Sequence, residues 1–333
     1  MLTIGSLRLD TRVLQAALSG YSDLAMRRVA RAHGARFCFH EVVVDRLVLV
    51  KGRAQRRILD IPPDDHPTGG QIMGTDPLVF GAAADQMVAA GYDLIDINFG
   101  CPVNKVMGRC RGGYHLGQPE VAVAIVREVL SAVGGRVPVT VKMRRGLDDS
   151  PEAARQFFQI LDSAFAAGID AVTVHGRTVA QKYVGPSRWD FLARVKQHVG
   201  DRVVIGSGDL FGAEDVRRMI EQTGVDGVTL ARGCIGNPFL FQQALDCLAG
   251  QPPCEPDVLA QRAAIELHWA TAREVYGERL GLRRLRSHAI QYARLHLQPI
   301  AVRDAFIAMR TADDLAAILE QWYSTESLAV TGA

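Results

Sequence analysis

Two hydrophobic rhythms alternate along the chain: short runs rich in β-branched residues recur, and between them apolar residues return every three or four positions. The first rhythm is that of a buried strand and the second that of a helix with one covered face, so the pattern predicts repeated βα units. Strands are expected at 13–17, 37–43, 70–73, 94–99, 137–143, 171–175, 203–206 and 228–231. Helix starts are signalled by Asp76-Pro77, by Ser150-Pro151-Glu152, and by Ser187 with Asp190 at the spacing of a capping box. On the helix after Ser150, the residues Phe157, Ile160, Leu161, Ala164 and Phe165 form one apolar stripe.

Eight consecutive βα units most simply close into an α/β fold of the (β/α)8 TIM-barrel type, with the C-terminal ends of all strands on one catalytic face. An open doubly wound sheet is the alternative. After Phe241 the strand rhythm stops, and Gln251-Pro252-Pro253 interrupts the chain. A boundary near 245 is therefore expected, between a catalytic barrel at 1–245 and a small C-terminal helical domain at 246–333. The latter should hold three or four helices up to about Tyr323, with the basic residues Arg279, Arg283, Arg284, Arg286, His288 and Arg294.

Composition narrows the class. Of 333 residues, 48% are hydrophobic and 22% charged, which excludes a disordered or fibrous chain. Apolar runs fall far short of the roughly 18 residues that cross a bilayer, and MLTIGSLRLD carries no export signal. Six scattered cysteines make no disulfide framework, so a cytoplasmic protein is expected, with no metal site. A net charge of +2 gives little general attraction for polyanions, and any nucleic-acid affinity must come from local basic patches.

Candidate chemistry lies at the strand ends. Asp96-Ile97-Asn98-Phe99-Gly100-Cys101-Pro102 places Cys101 on the first turn beyond strand four, with Asp96 and Asn98 on one strand face. Strand five ends Val141-Lys142-Met143-Arg144, and an inward lysine needs either an acid such as Asp96 or a bound anion or cofactor carbonyl. Gln71 near the end of strand three invites the same reading, and His175 closes strand six. Gly206-Ser207-Gly208-Asp209 and Ala231-Arg232-Gly233 end strands seven and eight, the common phosphate position of barrels. A flavin mononucleotide suits that position together with Lys142 and Gln71.

These stretches, with Gly20-Tyr21-Ser22-Asp23, Gln71-Ile72-Met73-Gly74-Thr75-Asp76-Pro77, Val174-His175-Gly176-Arg177-Thr178 and Arg232-Gly233-Cys234-Ile235-Gly236-Asn237-Pro238, resemble the tRNA-dihydrouridine synthase family. The run Arg286-Ser287-His288-Ala289-Ile290-Gln291-Tyr292 is similar to that family's C-terminal helical domain. The resemblance implies an enzyme in which NADPH reduces FMN and the flavin passes a hydride to C6 of a uridine flipped out of tRNA. Cys101 would protonate C5, and Asn98 would hold the uracil. Gln71, Lys142 and His175 would lie by the flavin, Gly206, Ser207, Gly208, Ala231, Arg232 and Gly233 by its phosphate, and Arg177 and Tyr183 in the uridine pocket. A monomer acting on tRNA, away from membranes, is the expected form.

The chain departs from the family pattern in three places. Gln15-Ala16-Ala17-Leu18-Ser19-Gly20 replaces Ala-Pro-Met-Ala-Gly, the loop Gly108–Leu116 is bulkier and more basic, and Ser207 stands where asparagine is common. Two other readings follow from these departures: an RNA-binding homologue without turnover, and an FMN oxidoreductase of a small molecule.

Overall fold

The computed structural model describes residues 1–324. They fall into two compact units. The first comprises Met1–Ser19, Arg36–Leu210 and Glu214–Ala231; the second comprises Gly20–Ala35, Phe211–Ala213 and the chain from Arg232 onward.

The first unit is a closed parallel barrel. A hairpin of β1 (Leu2–Ile4) and β2 (Leu7–Leu9) precedes β3 (Val13–Gln15), β4 (Cys38–Phe39), β5 (Val43–Val44), β6 (Thr68–Met73), β7 (Leu94–Phe99), β8 (Val139–Arg144), β9 (Ala171–His175), β10 (Val203–Ser207) and β11 (Gly227–Leu230). Pairing of β4 with both β3 and β6, and of β11 with β3, closes the ring, while β5 only extends the edge of β6. The expected eight-stranded (β/α)8 barrel is thus present, and the open sheet is excluded.

Leu2, Ile4 and Leu9 of the hairpin pack with Leu14, Phe37, Phe39, Leu94, Ala171 and Ile205, so apolar side chains seal the N-terminal end of the barrel. Polar strand residues are left to the opposite end, where the βα loops emerge.

Local signals explain several element boundaries. Asp76 caps the helix Pro77–Ala89 by accepting from the Leu78 N–H at 2.9 Å, and Ser150 caps Pro151–Ala167 by accepting from Ala153 at 3.1 Å. The stripe Phe157, Ile160, Leu161, Ala164, Phe165 is buried as its spacing predicted. The Ser187–Asp190 box does not form. The helix Trp189–Val199 starts from Arg188, whose guanidinium holds Asp190 at 2.8 and 2.7 Å, while the Ser187 N–H donates to Asp209 at 2.7 Å. The Asp190 carboxylate and the Ser187 N–H, which the box would join, each have a charged partner, and the Ser187 hydroxyl donates to the Ser207 carbonyl at 3.5 Å.

The second unit is helical. Its core joins Val258, Ile265, Leu285, Tyr292, Val302, Phe306, Leu319 and Tyr323. After Leu240–Leu248 come Val258–Tyr276, Glu278–Tyr292, Pro299–Ala308 and Ala312–Trp322. The helix Leu24–Ala32 belongs here too: it packs on Val258–Tyr276, and Arg28 pairs with Glu274 at 3.1 Å. The expected boundary near 245 consequently falls inside this unit, because Gln251-Pro252-Pro253 breaks a helix-to-helix connection rather than a domain edge.

Candidate active site

Parallel register stacks the inward side chains of neighbouring strands in rows. Gln71 of β6 lies beside Asp96 of β7, Asn98 beside Lys142 of β8, and Ser207 of β10 beside His175 of β9. Gln71, Asp96, Asn98, Thr140, Thr173 and Ser207 are buried. Each carries a hydrogen-bonding group that water cannot serve, so their mutual contacts decide the geometry.

Asp96 sits deepest in this set of contacts. Its carboxylate accepts from Thr140 Oγ1 and from Gln71 Nε2, each at 2.6 Å. Asn98 Nδ2 donates to Gln71 Oε1 at 2.6 Å. Burial pushes Asp96 up to about 6, against the lowering effect of those two bonds and of Lys142. The reverse holds for Lys142: burial brings its ammonium down to about 8, opposed by Asp96 and assisted by Arg144.

The turn carrying Cys101 is built on Asn98. Its Oδ1 accepts from the Gly100 N–H at 3.0 Å and from the Cys101 N–H at 3.1 Å, the side chain standing in for a backbone turn. The following loop folds back, and the Gly113 N–H donates to the Cys101 carbonyl at 3.1 Å. Gly112 has φ +59°, and a Cβ there would lie 2.7 Å from that of Cys101, so the approach requires glycine. Of the bulky residues in this loop, Arg109 is exposed, whereas His115 and Leu116 are buried. Cys101 is half-buried, and burial pushes its thiol up, outweighing the Val103 N–H and Arg144. A thiol in that environment stays protonated at neutral pH and has a proton to give.

The residues read as a cofactor set are partly assembled. Lys142 Nζ reaches Ser207 Oγ at 3.4 Å, a long contact for a half-buried cation. Thr229 Oγ1 of β11 is buried with no hydrogen-bond partner. Gly208 has φ +113°, and a Cβ there would meet Ser187 Oγ at 2.4 Å and His175 Nε2 at 3.1 Å. An under-satisfied ammonium, an orphaned hydroxyl and a bare backbone turn at the strand ends fit a polar, anionic ring system with a phosphate. Ala231 ends the barrel chain, and Arg232 and Gly233 follow in a 3-10 turn assigned to the second unit.

Arg177 is buried rather than open to a pocket. It pairs with Asp209 Oδ2 at 2.8 Å and donates to the Gly185 carbonyl, which leaves only Nη1 without a partner. Tyr183 is 53% exposed, and the Arg144 guanidinium lies 5.5 Å from its ring centroid. Sequence reasoning assigned no role to Arg144. It donates to the Gly100 carbonyl at 2.9 Å, to Thr178 at 2.8 Å and to Lys182 at 2.7 Å, tying the Cys101 turn to the 178–183 loop. The signal was present in the alternation of β8, which puts residues 140, 142 and 144 on one face.

Comparison with known proteins bears on the family and the fold. The family model described as Dihydrouridine synthase (Dus) matches residues 14–327. A Synechocystis sp. protein named "Probable tRNA-dihydrouridine synthase 1" is 36% identical over 328 residues, covering 98% of this chain and 90% of that one. A Mycobacterium tuberculosis protein named "Probable tRNA-dihydrouridine synthase" is 34% identical over 96% of this chain and 84% of its own. Among solved structures, morphinone reductase in complex with tetrahydroNAD superposes with a TM-score of 0.55 at 15% identity, covering 77% of this chain and 91% of its own. 2-Naphthoyl-CoA reductase does so with a TM-score of 0.61 at 12% identity, covering 75% and 52%. At such identities the likeness concerns the barrel fold alone. The match over nearly the whole sequence, and relatives sharing a third of their residues with it, place this chain in the dihydrouridine synthase family.

Proposed function

We propose that this protein reduces a uridine of tRNA to 5,6-dihydrouridine, with FMN as its cofactor, NADPH as the source of electrons and Cys101 as the proton donor. The observation that carries the reading is a half-buried thiol, its pKa pushed up by burial, on a turn that Asn98 fixes beyond β7, beside a row of inward polar groups. When bound, the flavin supplies a hydride to C6 of the pyrimidine.

The chain's own residues do the rest. Asn98, anchored by Gln71, keeps hydrogen-bonding capacity for the uracil edge. Cys101 gives its proton to C5, and the resulting thiolate is refilled from solvent. Burial serves this role because a low-pKa thiolate would have no proton to deliver. Lys142 would supply positive charge beside the bound flavin ring, and Gln71 and His175 would complete its surroundings. The backbone around Gly206, Ser207, Gly208 and Ala231 would cradle the phosphate. Arg177 and Tyr183 flank the uridine, Arg177 chiefly by holding its loop through Asp209.

Exposed arginines on the helical unit, Arg279 and Arg283 above all, are assigned to the RNA backbone. Among the described residues, no helix is long and apolar enough to cross a membrane, and a tRNA substrate points to the cytoplasm. Mapping dihydrouridine in tRNA and ribosomal RNA from cells lacking the gene tests the reading. Loss at defined tRNA uridines is expected; an unchanged map in both RNAs contradicts it.

A further inference from the structure

Asn98 and Asp96 share no direct hydrogen bond, yet the structure joins them through Gln71. We propose that Asp96 is a positioning residue: its carboxylate sets the direction of a chain of amide hydrogen bonds, through Gln71 and then Asn98, that ends on the backbone N–H groups of Gly100 and Cys101 and so aims the turn carrying the thiol.

The direction follows from donor and acceptor chemistry. An ionised carboxylate only accepts, so Gln71 must turn its NH2 toward Asp96 and its oxygen away. That oxygen can be served only by a donor, which is Asn98 Nδ2 at 2.6 Å. Asn98 is then left with its oxygen facing the turn, where it accepts from Gly100 and Cys101 at 3.0 and 3.1 Å. The far end imposes the same sense, since backbone N–H groups only donate. Both ends agree, and neither amide can flip without leaving two like groups in contact at buried positions, where an unmatched polar group is costly.

Thr140 Oγ1 occupies the other carboxylate oxygen at 2.6 Å, and the charged groups facing Asp96 and its partners are Lys142 and, beyond it, Arg144. The usual assignment for a buried acid beside a lysine is an ion pair. No hydrogen bond joins Asp96 to Lys142 here, whose ammonium goes instead to Ser207.

This inference uses the reading of Cys101 as the acid only for its catalytic consequence, and its test is independent of that reading. Hydrogen exchange of the segment 98–103 is measured by mass spectrometry on the purified full-length protein at pH 7.5, for wild type, Gln71→Met, Asp96→Leu and Asp96→Asn. Breaking the chain at either link frees Asn98, and the Gly100 and Cys101 amides should exchange roughly tenfold faster in Gln71→Met and Asp96→Leu, the equivalent of about one hydrogen bond. Asp96→Asn should exchange like wild type, because its carbonyl accepts from Gln71 while its NH2 turns to the Thr140 hydroxyl. Rescue by this neutral variant separates hydrogen-bond direction from charge. Wild-type exchange in Gln71→Met overturns the proposal, as does Asp96→Asn exchanging as fast as Asp96→Leu. Should Asp96→Leu fail to fold, Gln71→Met, which keeps the carboxylate, decides alone.

Discussion

Burial acts in opposite senses on the two groups that matter most at the residue scale, keeping the proton on Cys101 and working to remove one from Lys142. For Lys142 this has a signed consequence. A lysine whose folded-state pKa is lowered to about 8 costs the fold nothing above its unfolded value of about 10.4, and progressively more as pH falls from there through 8. The flavin-free protein should therefore lose roughly 1 kcal/mol relative to Lys142→Met between pH 9 and pH 7, a tenfold change in proton affinity being equivalent to about 1.4 kcal/mol. Denaturant titration of both proteins at the two pH values checks this, and parallel curves would show that Lys142 is not desolvated. Sequence alone brought Cys101, Asn98, Lys142 and Gln71 to one barrel mouth, because strand alternation and the C-terminal-face rule suffice for that. It did not give Asp96 its partners. Whether a strand residue meets Gln71 or Lys142 depends on register between β6, β7 and β8, which a single strand's pattern does not contain.

Elements follow their local signals where those signals are uncontested. Asp76 and Ser150 cap as read, whereas Ser187 and Asp190 do not, because the Ser187 N–H goes to Asp209, its hydroxyl to the Ser207 carbonyl and the Asp190 carboxylate to Arg188. The helical segment that the βα rhythm predicts between the second and third expected strands is split into two short helices, Asp45–Leu49 and Arg53–Leu59. Arg144 is the main tie between loops. Lysine offers one point of donors where arginine offers a fork, so Arg144→Lys should release at least two of the three carbonyls it holds, costing about 2–3 kcal/mol and exposing the 178–183 loop to protease. A destabilisation under about 0.5 kcal/mol would show the tie to be idle. On the helical unit the arginines divide. Arg294 donates to the Ile235 carbonyl at 2.6 Å and Arg286 to Met309 at 3.4 Å, while Glu274 is taken by Arg28; Arg279 and Arg283 are exposed and face no carboxylate among the described residues. Reversing Arg279 and Arg283 to glutamate should weaken tRNA binding and reduce its salt slope by about one for each phosphate no longer neutralised, measured by gel retardation at two salt concentrations. An unchanged slope would remove these helices from the RNA interface.

The whole molecule assigns its ends distinct work. The β1–β2 hairpin and the apolar row around Leu14 and Ile205 close one end of the barrel, and the candidate chemistry lies at the other, where the end of β8 brings Arg144 and the loops after β7, β9 and β10 bring Cys101, Arg177 and Gly208. Barrel closure was legible from the βα rhythm; the membership of Leu24–Ala32 in the helical unit was not, since an amphipathic stripe does not say which neighbour covers it. The central claim, a flavin-dependent uridine reductase with Cys101 as its acid, divides into two half-reactions that can be measured on one sample. Purified protein loaded with FMN is given NADPH and an unmodified tRNA transcript, following flavin bleaching and, by mass spectrometry, the two-dalton gain of dihydrouridine. Wild type should do both. Cys101→Ala should bleach at the wild-type rate and form dihydrouridine about 10²–10⁴-fold more slowly, the usual contribution of a general acid. Undiminished dihydrouridine formation by Cys101→Ala, or none by wild type despite normal bleaching, would contradict the account.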